Sequence, residues 1–193
     1  DGEYLGLFAP GSAVPVSEIA PAYPRQDLRY TYGWDSTASA YRYLFDASPG
    51  QTNSGGGFDA LPDPPQFSLD SGFYSHPDLL IITAAPPATA IYYTQDGSSP
   101  TPGNGTLYTE GFVVNSTRAV RAVAVTSDGI VSAPATRNYL MNPPAAIRSL
   151  PVLCLTGDWE TSLHKPHGVT SIVGGSWTPT WSPSGPDDDN IPM

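Results

Sequence analysis

The 193-residue sequence has a single cysteine, a single lysine and no long apolar run. Cys154 cannot form a disulfide within the chain, so a disulfide framework is excluded. No stretch offers the roughly 20 consecutive apolar residues of a transmembrane helix, so direct membrane insertion is not expected. Sustained helical periodicity free of proline and glycine is also missing, which disfavours an α/β enzyme.

Basic residues are scarce as well. Only 8 lysine and arginine residues oppose 18 aspartate and glutamate residues, which gives a formal net charge of −10. Phosphate backbones and anionic membranes are bound chiefly by clustered lysine and arginine. The sequence therefore predicts neither nucleic acid nor an anionic membrane surface as a partner.

Proline and glycine, by contrast, are abundant, with 22 and 19 residues. A hydrophobic share of 39%, with 11 tyrosines and 4 tryptophans, is too apolar for simple disorder. We therefore predict an all-β, loop-rich protein. The apolar run 150–155 around Cys154 predicts a buried position for that thiol.

The stretch 66–140 has the pattern of a small β-sandwich. Its centre, residues 90–94 (AIYYT), is β-branched and aromatic and leads into Asp96-Gly97. This pair ends a strand sharply because glycine accepts positive φ and aspartate hydrogen-bonds its own backbone two residues on. A calcium loop here would need further acidic ligands, and residues 98–105 supply none. Other short runs follow sandwich spacing: 79–84, 111–114, 118–126 and 133–140.

Residues 1–46 contain four short runs typical of strands, at 3–8, 14–19, 29–33 and 39–45. Four strands make at most half a sandwich. We therefore expect this part to be completed by other polypeptide, from the same parent, a neighbouring copy or a partner protein. The apolar face to be covered includes Leu5, Leu7 and Ile19.

Residues 54–65 are predicted to be a linker. Three consecutive glycines, Gly55 to Gly57, give the backbone freedom, and the prolines at 62, 64 and 65 keep the exit extended. A phosphate-binding loop would need a following lysine and a helix, which are missing here. Because the sequence shows no signal peptide, we expect it to be a segment of a longer polypeptide.

The N-terminal stretch resembles a known family through residues 1–7 (DGEYLGL), 16–24 (VSEIAPAYP), 32–33 (YG) and 47–53 (ASPGQTN). These are similar to the closing half of a lamin-tail-like domain of bacterial surface proteins. The resemblance implies that residues 1–53 supply the last strands of an immunoglobulin-like sandwich. The opening strands of such a domain are not represented.

The central stretch, 66–140, has a more specific resemblance. It looks like the small domain at the C-terminus of chitobiases and β-hexosaminidases, which is similar to a fibronectin type III sandwich. That resemblance implies an accessory module and not the part that hydrolyses sugar. The matching residues are 65–68 (PQFS), 72–74 (GFY), 90–101 (AIYYTQDGSSPT), 107–108 (LY) and 121–125 (RAVAV).

After Leu140 the sequence resembles the opening of a spore-coat protein H-like kinase domain. In bacterial proteins such a domain often follows the two modules already named. The resemblance implies that 141–193 are a proline-rich connector and a truncated kinase opening, and the catalytic and metal-binding residues of that family lie beyond it. The matching residues are 150–155 (LPVLCL), 156–159 (TGDW), 166–169 (PHGV) and 172–175 (IVGG).

Candidate site residues are few. No nucleophile sits with a base in a catalytic motif, so we predict no catalytic residue, no cofactor and no enzymatic activity. His164 and His167 could mimic a metal pair, but Pro166 prevents a helical arrangement of the two. The weak metal candidates are Asp187, Asp188 and Asp189, which a hard cation could bridge. The aromatic rings that could stack on a sugar belong to Tyr92, Tyr93, Tyr108, Trp177 and Trp181.

Two functions remain open from the sequence. The favoured one is a non-catalytic structural, adhesive or docking segment of a large exported protein. It would be extracellular, at the cell surface or periplasmic, and would contact other domains of its parent or partner proteins. The alternative is a carbohydrate-binding accessory module. Sugar binding would need coplanar exposed aromatic rings, whereas a structural role would leave them scattered or buried.

Overall fold

The computed structural model describes residues 2–27, 29–53 and 55–158. The chain divides into two compact units between Leu61 and Pro62. Regular structure in the described residues is strand, apart from one short helix. The predicted fold class, all-β with an immunoglobulin/fibronectin III-like sandwich, is confirmed.

The N-terminal unit consists of two small antiparallel sheets. One is the hairpin β1-β2, and the other has the order β3-β4-β5. All four runs predicted before residue 46 form strands. The strands are β1 (Leu5–Phe8), β2 (Pro15–Ile19), β3 (Thr31–Asp35), β4 (Ala40–Leu44) and β5 (Gly57–Phe58).

Strand β5 lies within residues 54–65, which were predicted to be a linker without a strand. Phe58 is buried and its ring stacks on Tyr43, with centroids 5.5 Å apart. Gly57 is needed for close approach, because a Cβ there would stand 2.6 Å from the carbonyl oxygen of Tyr43. At this position the glycine therefore allows strand pairing.

The turn between β3 and β4 is fastened by a buried carboxylate. Asp35 Oδ1 accepts hydrogen bonds from the backbone N–H groups of Thr37 and Ala38, at 2.9 and 3.3 Å. Its other oxygen lies 3.7 Å from Nη1 of Arg42, which also pairs with Asp59. A buried charge needs such partners, so this cluster stabilises the turn that joins the two strands.

The C-terminal unit is a two-layer sandwich. One layer is a five-stranded sheet in the order β11-β10-β13-β14-β7, with only β14 and β7 parallel; the other consists of the pairs β12-β8 and β6-β9. The strands are β6 (Gln66–Phe67), β7 (Gly72–Tyr74), β8 (Asp78–Leu80), β9 (Ile82–Thr83), β10 (Ala88–Thr94), β11 (Thr106–Leu107), β12 (Phe112–Val114), β13 (Arg118–Thr126) and β14 (Ala135–Met141).

The core lies between these two layers. Tyr139 of β14 is fully buried, and its hydroxyl donates to the carbonyl oxygen of Leu69 at 3.1 Å. A buried phenol needs such an acceptor, since an unpaired hydroxyl in an apolar interior is costly. The other members of the core cluster are Leu80, Ile82, Val114, Val120 and Ala122.

The run 79–84, predicted as one strand, forms two. β8 pairs with β12, whereas β9 pairs with β6, and Ile81 between them is exposed. Ser68 holds this switch point, because its N–H donates to the Ile81 carbonyl and its hydroxyl accepts from the Ile81 N–H. A continuous apolar run in the sequence does not indicate where a strand ends and the next one pairs with a different strand.

Strand β13 is buried on both faces. Val120, Ala122 and Ala124 share one face because strand residues alternate, and all three are inaccessible to solvent. Val123 and Val125 on the opposite face are buried too. Both faces are thus covered, and small alanines on the inner face let the two layers approach closely.

The chain after β14 forms the short helix α1 (Ala145–Arg148) and then runs without regular structure to residue 158. We call residues 151–158 the connector. The prediction that Cys154 is buried is wrong, because its side chain is exposed. The apolar run around it has no strand to pair with among the described residues, so Leu150 and Leu153 are exposed as well.

Candidate functional site

An open apolar groove lies along one face of the β1-β2 hairpin. Leu5 is directly opposite Ile19, and Leu7 is opposite Ser17, so these side chains share a face. Tyr41 closes one side, held by a 2.7 Å hydrogen bond between its hydroxyl and that of Ser17. The groove has a volume of about 250 Å³. Leu5 and Leu7 remain 55% and 65% exposed.

The other face of the hairpin carries two aromatic rings. Gly6 makes room for them, because a Cβ there would come within 2.8 Å of the rings of both Tyr4 and Phe8. The hydroxyl of Tyr4 donates to Glu18 Oε2 at 2.9 Å, which fixes its ring across the strands. Tyr4 and Phe8 are themselves exposed, so both faces of this two-stranded sheet present apolar surface.

The tyrosines considered for sugar stacking lie in different surroundings. Tyr93 and Tyr108 pack against the core, with ring centroids 6.1 Å apart and ring planes at 80°. The hydroxyl of Tyr108 also accepts a hydrogen bond from the Ile82 N–H at 3.0 Å. Tyr92 lies on the opposite face of β10 from Tyr93, because successive strand residues point to opposite faces. These three rings do not form one flat exposed platform.

The remaining candidates lie outside the described residues: Trp177, Trp181, Asp187, Asp188, Asp189, His164 and His167. Their roles stay predictions. Within the part of the chain that the structure describes, no group of three or more histidine, cysteine, aspartate or glutamate side chains is arranged to hold a metal ion.

The predicted turn at Asp96-Gly97 is confirmed in geometry and cause. Gly97 has φ of +84°, and Asp96 Oδ1 accepts hydrogen bonds from the N–H and hydroxyl of Ser98, at 3.0 and 2.6 Å. These hydrogen bonds lower the pKa of Asp96. The turn therefore needs no cation, and it presents Ser99 and the Gly97 carbonyl beside β13.

A cluster of Asp158, Ser99 and Arg121 lies next to this turn and was not predicted from the sequence. Asp158 accepts hydrogen bonds from the N–H of Ser99 at 2.7 Å and from its hydroxyl at 2.5 Å. Nη1 of Arg121 lies 4.0 Å from Asp158 and donates to both the Ser99 hydroxyl and the Gly97 carbonyl. Arg121 is 12% exposed. The three side chains join β13, the turn and the connector.

The pKa of Asp158 reflects two opposing effects. Burial is the largest and raises the pKa, but the hydrogen bonds from Ser99 and the charge of Arg121 favour the carboxylate and together lower it. Asp158 is therefore ionised at neutral pH. Its negative charge faces the guanidinium in a site with limited solvent, where electrostatic attraction is less screened than at an open surface.

The connector crosses the sandwich next to this cluster. The Thr156 hydroxyl donates to Asn138 Oδ1 at 2.9 Å, and Thr156 Cγ2 would stand 3.0 Å from a Cβ at position 97. A cavity of about 330 Å³ lies between residues 154–157 and the neighbouring ends of β13 and β14. The sequence signal for this arrangement was Arg121, the single charge between Val120 and Val125.

The sandwich geometry agrees with a comparison against known families. Residues 69–136 match the family model of the chitobiase/beta-hexosaminidase C-terminal domain. The central resemblance is thus confirmed. This domain is a non-catalytic β-sandwich module that typically occurs in secreted proteins. Searches of the curated proteins and of the solved structures gave no match.

The match ends within β14, so the connector and Asp158 lie outside it. The lamin-tail-like and kinase-like resemblances of the flanking stretches stay predictions. Among the described residues, no helix has the length and apolar character needed to cross a membrane.

Proposed function

We propose that this chain is a non-catalytic structural and docking segment of a large exported multidomain protein, located at the cell surface, outside the cell or in the periplasm. The observation that carries the proposal is the open apolar groove of the β1-β2 hairpin. In this account the C-terminal sandwich is a spacer, and the N-terminal unit makes the protein–protein contact.

The groove fits an extended polypeptide. Within the described residues β1 and β2 pair only with each other, which leaves N–H and C=O groups at the sheet edge open to a further strand. Such pairing supplies affinity through main-chain hydrogen bonds, while pockets for alternate side chains supply specificity. Burying Leu5 and Leu7 fully would add on the order of 1 kcal/mol each, because each is already partly buried.

The occupant we propose is a β-strand from elsewhere in the same parent polypeptide. It should carry apolar residues at alternate positions to fill the groove over Leu5, Leu7 and Ile19. The resemblance of residues 1–53 to the closing half of a lamin-tail-like sandwich supports this choice. The same proposal includes residues 141–193 as a proline-rich stretch that leads into the opening of a kinase-like domain.

The test is photo-cross-linking in the organism that makes the parent protein. A benzophenone amino acid replaces Leu7 in one variant and the exposed Asp128, in the turn after β13, in a control variant. We expect position 7 to yield cross-linked peptides from the same parent, with alternating apolar residues. A cross-linking yield at position 7 no higher than at position 128, or cross-links mainly to glycan, would contradict the proposal. Cross-links to a partner protein or to a second copy of the chain would show that the strand comes from that source and not from the same parent.

A further inference from the structure

We propose that Ser99 and Arg121 form a carboxylate-binding site on the outer face of the sandwich, and that its ligand is Asp158 of the connector. The site would fix the connector against the sandwich. This inference is independent of the docking groove, because the N-terminal unit contributes nothing to it.

The donors are arranged for a carboxylate and not for a neutral group. The Ser99 N–H reaches Asp158 Oδ1 while the Ser99 hydroxyl reaches Oδ2, so the two oxygens are bound by two donors of one residue. A hydroxyl of the same size as one carboxylate oxygen could satisfy only one of them. Hydrogen bonds to an ionised acceptor are shorter and stronger than those between neutral groups.

Arg121 makes the site positive and holds the donor in place. Its Nη1 donates to the Ser99 hydroxyl at 3.1 Å, which directs the hydroxyl hydrogen towards Asp158. The second hydrogen bond of Nη1, to the Gly97 carbonyl, ties the guanidinium to the Asp96-Gly97 turn. The site therefore exists because the turn and β13 are adjacent, and it does not depend on the connector for its shape.

The side chain of Arg121 supplies an independent sign that a ligand is required. It is largely buried, with an exposed fraction of 12%. A guanidinium in such a position is costly without a nearby anion. Asp158 is the carboxylate that lies within ion-pair distance of it.

The connector has few other attachments. Leu153, Cys154 and Leu155 are exposed, so apolar burial contributes little to its position. The Thr156–Asn138 hydrogen bond is the principal competing explanation. A test must therefore separate the carboxylate from the threonine hydroxyl.

The experiment uses the whole chain labelled with ¹⁵N and three variants. Asp158→Ala removes the ligand, Thr156→Val removes the competing hydrogen bond, and Asp128→Ala is a control with the same change of charge at an exposed turn. The readouts are hydrogen exchange of the Ser99 amide and ¹⁵N order parameters of residues 154–157. We expect Asp158→Ala to speed Ser99 exchange at least tenfold and to lower the order parameters from about 0.8 to below about 0.6.

Free acetate then tests the chemistry of the site. A concentration of about 0.1 M acetate is needed, because an untethered ligand lacks the effective concentration of the connector. At neutral pH, acetate should return the Ser99 amide chemical shift of the Asp158→Ala variant towards that of the unmodified chain, whereas chloride should not. Order parameters should stay low, since acetate does not restore the tether. The proposal is overturned if Asp158→Ala behaves like Asp128→Ala, if only Thr156→Val releases the connector, or if acetate and chloride act alike.

Discussion

The ring of Tyr93 lies parallel to that of Phe112, with centroids 4.9 Å apart and ring planes 14° apart. Tyr108 meets Tyr93 edge-on from another side. Offset stacked and edge-to-face contacts of this kind stabilise cores beyond the area they bury. The aromatic content of β10 is therefore explained in part by packing between the layers of the sandwich.

Tyr93→Ala is expected to lower the free energy of unfolding by about 3 kcal/mol, because it removes an aromatic ring from the edge of the core and leaves a cavity. Tyr93→Phe keeps the ring and should change that free energy by less than about 1 kcal/mol. Urea denaturation of the two variants measures both values. An equal and small effect of the two substitutions would show that the stacked contact is energetically unimportant.

The chain is expected to show no saturable binding to chitin or cellulose oligomers at concentrations up to the order of millimolar, because the described tyrosines do not form a flat exposed platform. Isothermal titration measures this. If binding is seen and is lost when Tyr92, Tyr93, Tyr108, Trp177 or Trp181 is changed to alanine, the carbohydrate-binding alternative replaces the docking account.

Tyr139 should make the sandwich sensitive to alkali. Burial raises the pKa of its phenol above the ordinary value of 10.0. Above that pH the unfolded chain releases this proton while the folded chain retains it, so stability from this group is complete below pH 10.0 and is lost as the pH rises. Between about pH 9 and pH 11, the unmodified chain should lose about 1 kcal/mol more than Tyr139→Phe in its free energy of unfolding. If the free energy of unfolding falls equally with pH in both proteins, the assignment of this alkali sensitivity to Tyr139 is wrong.

Gly97→Ala combines backbone strain with a clash, and a matched control separates the two. Gly97 and Gly129 have φ of +84° and +81°, so alanine at either position costs about 1–2 kcal/mol in backbone strain. A Cβ at 97 would also press on Thr156, whereas a Cβ at 129 meets nothing within 4 Å. Thermal unfolding should show the larger loss for Gly97→Ala, with faster Ser99 exchange in that variant alone. Equal losses would mean that the connector does not lie against the turn.

The sequence predicted those features that depend on neighbours along the chain. Strand β13 has the predicted bounds because its β-branched run is long, and the Asp96-Gly97 turn forms because both residues act on their own backbone. Tyr92 and Tyr93 alternate because strands have a period of two.

Features that depend on distant partners were not predicted. Ile81 divides one apolar run because Ser68, 13 residues earlier, binds its backbone. Phe58 is buried because Tyr43 offers a ring to stack on, although its surroundings are rich in glycine. Asp158 binds Ser99 across 59 residues, and no spacing rule connects them. The exposed Cys154 follows the same logic, because hydrophobicity alone does not provide a partner.

The central claim is that the β1-β2 hairpin receives a strand from the parent protein. Amide hydrogen exchange of residues 5–8 and 16–19, compared between this chain alone and the intact parent, tests it most directly. If a strand is added, amides at the open edge exchange quickly in the chain alone and at least about tenfold more slowly in the parent, because they gain ladder hydrogen bonds there. Equal exchange rates at these amides in both proteins would contradict the claim.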